Sequence, residues 1–432
     1  MSNQEKKGGN FIAIATMFAL YGMVGFVTFM AALVGAIWKE QPGIAGSNML
    51  ATMGVTMNFM AYLFMGIPSG MLLSKIGYKK TSLAAIAAGC IGVLIQTASG
   101  YVCTESTIGS LPAAWFVYLL GAFISGFSMC MLNTVICPML NTLGGARGNQ
   151  LNLAGGTFQS ICTTLAPILL GGIVGAVTKD TKITDISGVL FTAAAVFAVA
   201  FIVISFLPIK DPEQVSTADT GDGLPLTSRH CLMGIFGIFL YMGIEAGVGT
   251  GMNLWLSDVN SSPLLALGND PAKLAAIAGS AFGAFCALML VGRFIGSAIG
   301  GKVTPRMLLL ATAGLGVVFV ALGMALAKVS VGVPFGVGTL PVSAFFFIAC
   351  GLCASVMWAT IFNLSVDGLG KNTEKASGLF MEMVIGGALL PLVQNFIADK
   401  AGFVVSFIVP LLCFAYLFVY ALAFTRKAGQ SV

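Results

Sequence analysis

The sequence predicts an all-α membrane protein of twelve transmembrane helices arranged as two pseudo-symmetric six-helix halves. Three observations carry that prediction. The chain is 57% hydrophobic and only 9% charged, with a mean hydropathy of +0.96, whereas a soluble domain is about a quarter charged. No soluble core could hide so much apolar side chain, so lipid must be the solvent for most of it. The apolar segments are long and continuous, without the period-two alternation of a membrane barrel, which selects helices. Finally, a polar link divides the chain, and the sequence on either side of it repeats in outline.

Each element follows from a stretch at or near the ~20 apolar residues that a bilayer core requires. In the first half these are Phe11–Trp38, Asn48–Ser74, Leu83–Gly100, Ala113–Leu143, Leu151–Val177 and Gly188–Pro208. In the second they are Cys231–Val259, Leu274–Gly300, Met307–Lys328, Pro341–Val366, Ala376–Ala398 and Val404–Phe424. The polar start, Met1–Asn10, precedes an apolar run long enough to stay as a membrane helix, so no cleaved leader is expected.

Basic residues orient the bundle. With both termini in the cytoplasm, 14 of the 21 Lys and Arg fall on the inside and 6 on the outside, with Arg293 within a span. The net charge of +5 therefore reports topology and gives no hint of nucleic acid. The ten cysteines mostly lie in apolar segments, and Cys350–Cys353 sits within a span without a histidine or acid beside it. They read as small packing residues. One histidine, His230, leaves no metal cluster or triad to assemble, so neither an enzyme nor a bound cofactor is expected.

The link is residues 209–230, rich in Asp, Thr, Gly and Pro, between half-domains 1–208 and 231–432. Gly70–Thr81 and Ser297–Leu308, offset by 227 residues, each run from a small-residue helix end into a short basic loop. A six-plus-six repeat around a cytoplasmic link is the arrangement of the major facilitator transporters, in which a mid-membrane site forms where the repeats meet.

The chain resembles the fucose permease and glucose/galactose permease branch of that superfamily. The likeness rests on LYMGIEAGVGTGMNLWL (240–256), LVGRFIGSAIGGKVTPRMLL (290–309), the stretch from Thr360 to Asp399 and, more loosely, Asn133–Gly144 with Leu151–Ser160. It implies a symporter that imports a monosaccharide with a proton or a sodium ion. Glu245 matches the glutamate of the seventh helix in glucose/galactose members. Fucose permeases carry acids in the first and fourth helices where this chain has Phe29 and Asn133, and the superfamily's loop aspartate is Ser74 here. The polar residue of the fifth helix falls near Gly156.

Glu245 is the central candidate. It lies about fourteen residues into its segment, roughly 21 Å at 1.5 Å per residue, close to the bilayer midplane. A carboxylate at that depth costs several kcal/mol unless paired, protonated or wetted. It could exchange a proton, hold a sodium ion or accept from sugar hydroxyls; the plain alternative is an acid bonded to a helix carbonyl. Arg293 and Glu382, at matching heights above the cytoplasmic loops, are expected to pair, either as a gate or as a static bridge.

In the major facilitator architecture, helices 1, 4, 7 and 10 line the cavity. They offer Tyr21 and Thr28, Asn133, Glu245 with Asn253 and Trp255, and Trp358 with Asn363; Asn58 and Tyr62 of helix 2, Gln159 of helix 5, and Gln394 and Asn395 of helix 11 join them. Amides suit sugar hydroxyls, and an indole suits the face of a pyranose ring. Trp255 could equally belong to an interfacial aromatic belt. Asn133 could serve carbonyls freed by Pro138, and Gln394 with Asn395 could be solvated near the outer end. No basic residue is assigned to the cavity, which disfavours anionic substrates.

These residues point to a monomeric importer of a hexose or deoxyhexose in the inner membrane, working by alternating access with lipid as its surroundings and coupled to H+ or Na+, with Glu245 as the central acid expected to sense the ion. The alternative is an efflux antiporter for amphiphilic compounds, with a cavity lined by Phe and Met.

Overall fold

A computed structural model describes residues 3–41, 43–44, 48–102, 106–174, 182–207, 228–258, 262–266, 274–333 and 338–424. Most of the 209–230 link therefore lies outside the described residues. The chain forms two compact units. The first holds α1 (Asn3–Glu40), α2 (Asn48–Ala98), α3 (Ala113–Gly144), most of α4 (Gly148–Val174) and α5 (Ser187–Phe206). The second holds α6 (Arg229–Ser257), α7 (Pro263–Ala266), α8 (Leu274–Ile299), α9 (Pro305–Ala325), α10 (Val342–Ala354) and α11 (Met357–Val366), then α13 (Gly386–Ala401), α14 (Phe403–Ser406) and α15 (Ile408–Val419).

Two segments depart from a division at the link. Asn149–Ala154, at the start of α4, belongs to the second unit, and α12 (Thr373–Glu382) belongs to the first. The chain thus changes unit inside two helical spans, between Ala154 and Gly155 and between Glu382 and Met383.

Helices dominate because every backbone polar group at membrane depth needs a partner within its own segment. Among the described residues, eight helices are long and apolar enough to cross a membrane, or nine with the bent pair α10–α11. Two of them, Met53–Ala98 and Ala113–Cys162, each contain two of the twelve predicted spans. The apolar stretch Phe11–Val27 of α1 adds to these, so the helices are consistent with twelve crossings. The predicted basic loop after the second span is only a break inside α2, at Gly77 with φ 80° and ψ 175°. That backbone is closed to side chains with a Cβ, so glycine makes the corner. Its counterpart in the second half is a turn that leads to Thr304, whose Oγ1 accepts from the Met307 amide and caps α9 ahead of Pro305.

α3 is buried along most of its length, because α1, α2 and α12 all pack on it. Close approach needs glycine at the crossing of α2 and α3. A Cβ on Gly92 would lie 2.6 Å from the Ser125 amide, and one on Gly121 would lie 2.6 Å from that of Gln96. Beside this crossing, Gln96 Nε2 donates to Ser125 Oγ at 2.9 Å. α5, by contrast, buries one face and exposes Phe191, Val199, Ile202 and Phe206, as a helix at a lipid boundary does.

In the second unit α6 is central and packs against α8, α10, α11, α13 and α15. α10 and α11 meet at a 40° bend. The rings of Phe347 and Phe407 stack 3.8 Å apart, with Trp255 edge-on to Phe347 at 6.1 Å. Trp255 is 4% exposed, so it packs inside this unit, and the aromatic-belt alternative does not hold. His230 sits in a structural role, its Nε2 bonded to the Asp367 carbonyl at 2.9 Å.

Each unit also has a short antiparallel hairpin just before a span. β1 (Thr107–Ile108) pairs with β2 (Leu111–Pro112), and β3 (Ser330–Val333) pairs with β4 (Gly338–Pro341). Pro112 and Pro341 close the hairpins in extended conformation, and helices α3 and α10 start at the next residue. The two prolines recur at nearly the offset of the repeated basic segments, a second mark of the internal repeat.

Candidate functional site

The second unit carries an ion pair at the middle of its central helix. Arg293 Nη2 of α8 donates to Glu245 Oε1 of α6 at 3.2 Å. The side chains are 14% and 24% exposed, respectively, so the pair is largely sheltered but has an open side. α6 and α8 are direct neighbours, and each brings its charged residue to the shared face.

The expected Arg293–Glu382 pair is therefore corrected. Counting residues from the loops fixes height along a helix but not direction around it. Glu382 belongs to the first unit, where its backbone and Cβ lie against Gly66 of α2. Arg293 instead meets the acid on the helix beside it.

Two further groups complete the cluster. Tyr241, one turn before Glu245, is fully buried, and its hydroxyl lies within electrostatic reach of both charges. That hydroxyl makes no hydrogen bond of normal geometry. The Tyr241 ring meets Trp358 of α11 edge-on, centroids 6.3 Å apart at 63°. Cys286 of α8 is half-buried and senses the same two charges. Neither Tyr241 nor Cys286 drew attention in the sequence. The signal for Tyr241 was its helical spacing of four from Glu245, which places both on one face.

The structure does not bring Gln394 to this cluster. α13 packs on the Gly243, Gly247 and Gly251 side of α6, and Gln394 lies against Gly247 and Gly251. At 100° per residue that side is turned away from Glu245. Gln394 is 1% exposed and both of its amide atoms lack a hydrogen-bond partner, so the solvated alternative is wrong. Asn395 is half-buried beside it. Asn253 is half-buried further along α6. Asn363 Nδ2 donates to Asn149 Oδ1 at 2.7 Å, which ties α11 to the start of α4 within this unit.

In the first unit, Asn133 Nδ2 donates to the Tyr62 hydroxyl at 2.9 Å. The amide thus serves another helix and not the carbonyls around Pro138. One turn along α3, Cys137 Sγ lies 3.4 Å from the Tyr21 hydroxyl. One turn before Tyr62 on α2, Asn58 is 1% exposed with neither amide atom partnered. Gln159 is half-buried on α4. The side chains of Thr28 and Phe29 lie outside the described residues. Gly156 faces open space, with nothing within 4 Å of where a Cβ would stand.

A second polar group joins α2, α3 and α12. Ser69 Oγ and Thr134 Oγ1 are 2.8 Å apart, and Ser377 Oγ donates to the Thr134 carbonyl at 3.1 Å. Gly66, Gly70 and Gly378 form the contact beneath them, where a Cβ on Gly378 would lie 2.6 Å from the Gly66 carbonyl oxygen. Glu382 ends α12 at this contact, and Cys130 of α3 is within its electrostatic reach.

The family model described as Major Facilitator Superfamily matches residues 10–384. The chain belongs to the major facilitator superfamily. Among curated relatives it is 27% identical to a "Glucose/galactose transporter" of Brucella abortus biovar 1 (strain 9-941), over 98% of this chain and 95% of that one. It is 21% identical to the "L-fucose-proton symporter" of Escherichia coli (strain K12), over 84% and 82% of the two chains. Among solved structures, the major facilitator transporter FucP in its outward conformation aligns over 96% of this chain and 100% of that one. The TM-score is 0.75 at 19% identity. The chain is an integral membrane transporter and not an enzyme, and it is similar to sugar carriers along nearly its whole length.

Proposed function

We propose that this chain imports a monosaccharide, a hexose or deoxyhexose, across the inner membrane by alternating access, driven by an ion gradient. The observation that carries the reading is the cluster of Glu245, Arg293, Tyr241 and Trp358 on α6, α8 and α11. A sugar ring presents hydroxyls on its rim and an apolar face. The carboxylate accepts from hydroxyls, the guanidinium donates to them, and the indole offers an apolar surface for the ring. Because the pair is partly exposed, hydroxyls can reach it without a buried charge being stranded.

Asn253 and Asn363 extend these polar contacts along α6 and α11. On the first unit, the Tyr62–Asn133 bond and the unpartnered Asn58 amide supply donors and acceptors of the same kind, with Thr28 and Gln159 as further proposed contacts. Arg293 enters the site as half of a neutral pair, which keeps the preference for an uncharged substrate. The similarity to a glucose/galactose transporter over almost the full length supports the same substrate class.

A ligand panel on purified protein tests this reading. Hexoses and deoxyhexoses should raise the melting temperature of the wild type and leave that of Glu245→Gln unchanged. Stabilisation by amphiphilic cations, with no response to any monosaccharide, would contradict it and favour the efflux reading.

A further inference from the structure

Among the described residues, a second acid besides Glu245 lies well inside a helix long and apolar enough to cross a membrane, and it makes no ion pair. Glu382 lies in the apolar span Thr373–Ala401. Among the described residues its carboxyl makes no ion pair and no hydrogen bond. Among the described residues, no charged group is found to act on it. The titratable groups that face this part of the first unit are Cys130 of α3 and Tyr62 of α2, both buried and both neutral acids. Glu374 and Lys375 of its own helix are about two turns away.

Its place in the chain is as telling as its lack of a partner. Glu382 is the last residue of α12 and the last residue of the first unit; Met383 opens the second. The α-helix stops there, a 3-10 turn spans Met383–Ile385, and α13 begins at Gly386. A 3-10 break inside a long helix is a common mark of a hinge. Upstream, α12 is held to α2 by backbone-close glycines, where a Cβ on Gly66 would lie 2.6 Å from the Glu382 amide nitrogen. The N-terminal side of this break is therefore anchored to α2.

By contrast Glu245 already shares its charge with the Arg293 guanidinium through Oε1. Glu382 is half-buried, so water can deliver a proton to its carboxyl and remove one. It can take one proton from one side of the membrane and return it to the other, cycling between –COOH and –COO⁻ with no other reactant.

We propose that Glu382 is the residue that carries the coupled ion, that this ion is a proton, and that its protonation state sets the hinge at the end of α12. The proposal rests on the sugar-import reading. One proton enters with each sugar, neutralises Glu382 for the change of access, and leaves on the cytoplasmic side.

Proteoliposomes with wild type, Glu382→Gln and Glu382→Asp provide the test. Labelled hexose is followed by accumulation under an imposed pH gradient and by exchange at equilibrium, with sugar-induced alkalinisation of the medium as a direct proton readout. Melting temperature and monodispersity report folding. Wild type and Glu382→Asp should accumulate sugar and alkalinise the medium. Glu382→Gln should exchange sugar but neither accumulate it nor move protons. Accumulation by Glu382→Gln at the wild-type level would overturn the proposal, as would loss of exchange in that variant while it remains folded. Accumulation by the wild type with sodium alone would overturn it and leave the import reading standing. A wild type that neither exchanges nor accumulates any monosaccharide would end both.

Discussion

Arg293 donates to Glu245 across 3.2 Å, joining α8 to α6 midway along two apolar helices. Removing either partner leaves the other charge sheltered and alone. Arg293→Leu and Glu245→Leu should each destabilise the protein by about 3 kcal/mol, somewhat less if water reaches the open side of the pair. The double change to leucine should recover most of that stability but not transport. Denaturant melts of the three variants check this, and equal stability of single and double variants would contradict it.

Exchanging the two charges, with Glu245→Arg and Arg293→Glu together, should restore part of the sugar binding lost in each single change. Exchanging Arg293 with Glu382 should restore none. Ligand-induced shifts in melting temperature distinguish the two pairings.

Cys286 shares the electrostatic surroundings of the pair and is half-buried. In a variant with Cys286 as the sole cysteine, a neutral maleimide should label the thiol, and saturating sugar should slow the labelling. Labelling that ignores substrate would place the sugar elsewhere.

How much of this was legible in the sequence differs between the fold and the site. Hydropathy located the helices to within a few residues, since burying a polar backbone in lipid leaves no alternative to a helix. The place of Glu245 midway along α6 was equally legible, because rise per residue is fixed. What could not be read was azimuth. Glu382 and Arg293 were matched by residue counting yet pack in different units, and Gln394, one of several candidate amides, lies on the side of α6 turned away from Glu245. Neither the role of Gly77 as a corner within one long helix nor the transfer of α12 to the first unit is encoded in local composition; both arise from which glycine faces allow close approach.

Gly66 is such a face. Its Cα lies where any Cβ would meet the backbone of Glu382 at 2.6 to 2.7 Å, so Gly66→Ala must push α2 and α12 apart. Overpacking of this kind costs on the order of 1–3 kcal/mol. Gly66→Ala should lower the melting temperature and slow transport more than it weakens sugar binding. An unchanged transport rate would show that this contact does not take part in the cycle.

Gln394 gives the opposite expectation. Both amide atoms are buried without partners, an arrangement that costs roughly 1–3 kcal/mol. Gln394→Met, of similar shape, should leave the protein as stable or more so and leave sugar binding intact. Loss of binding in a well-folded Gln394→Met protein would return this residue to the substrate site.

The most direct test of sugar import is uptake of labelled hexose into proteoliposomes that contain only this protein, under an imposed inward ion gradient. The predicted result is accumulation above the external concentration, abolished by collapsing the gradient or by Glu245→Leu. Equilibration without accumulation, or outward movement of amphiphilic compounds with no sugar flux, would contradict it.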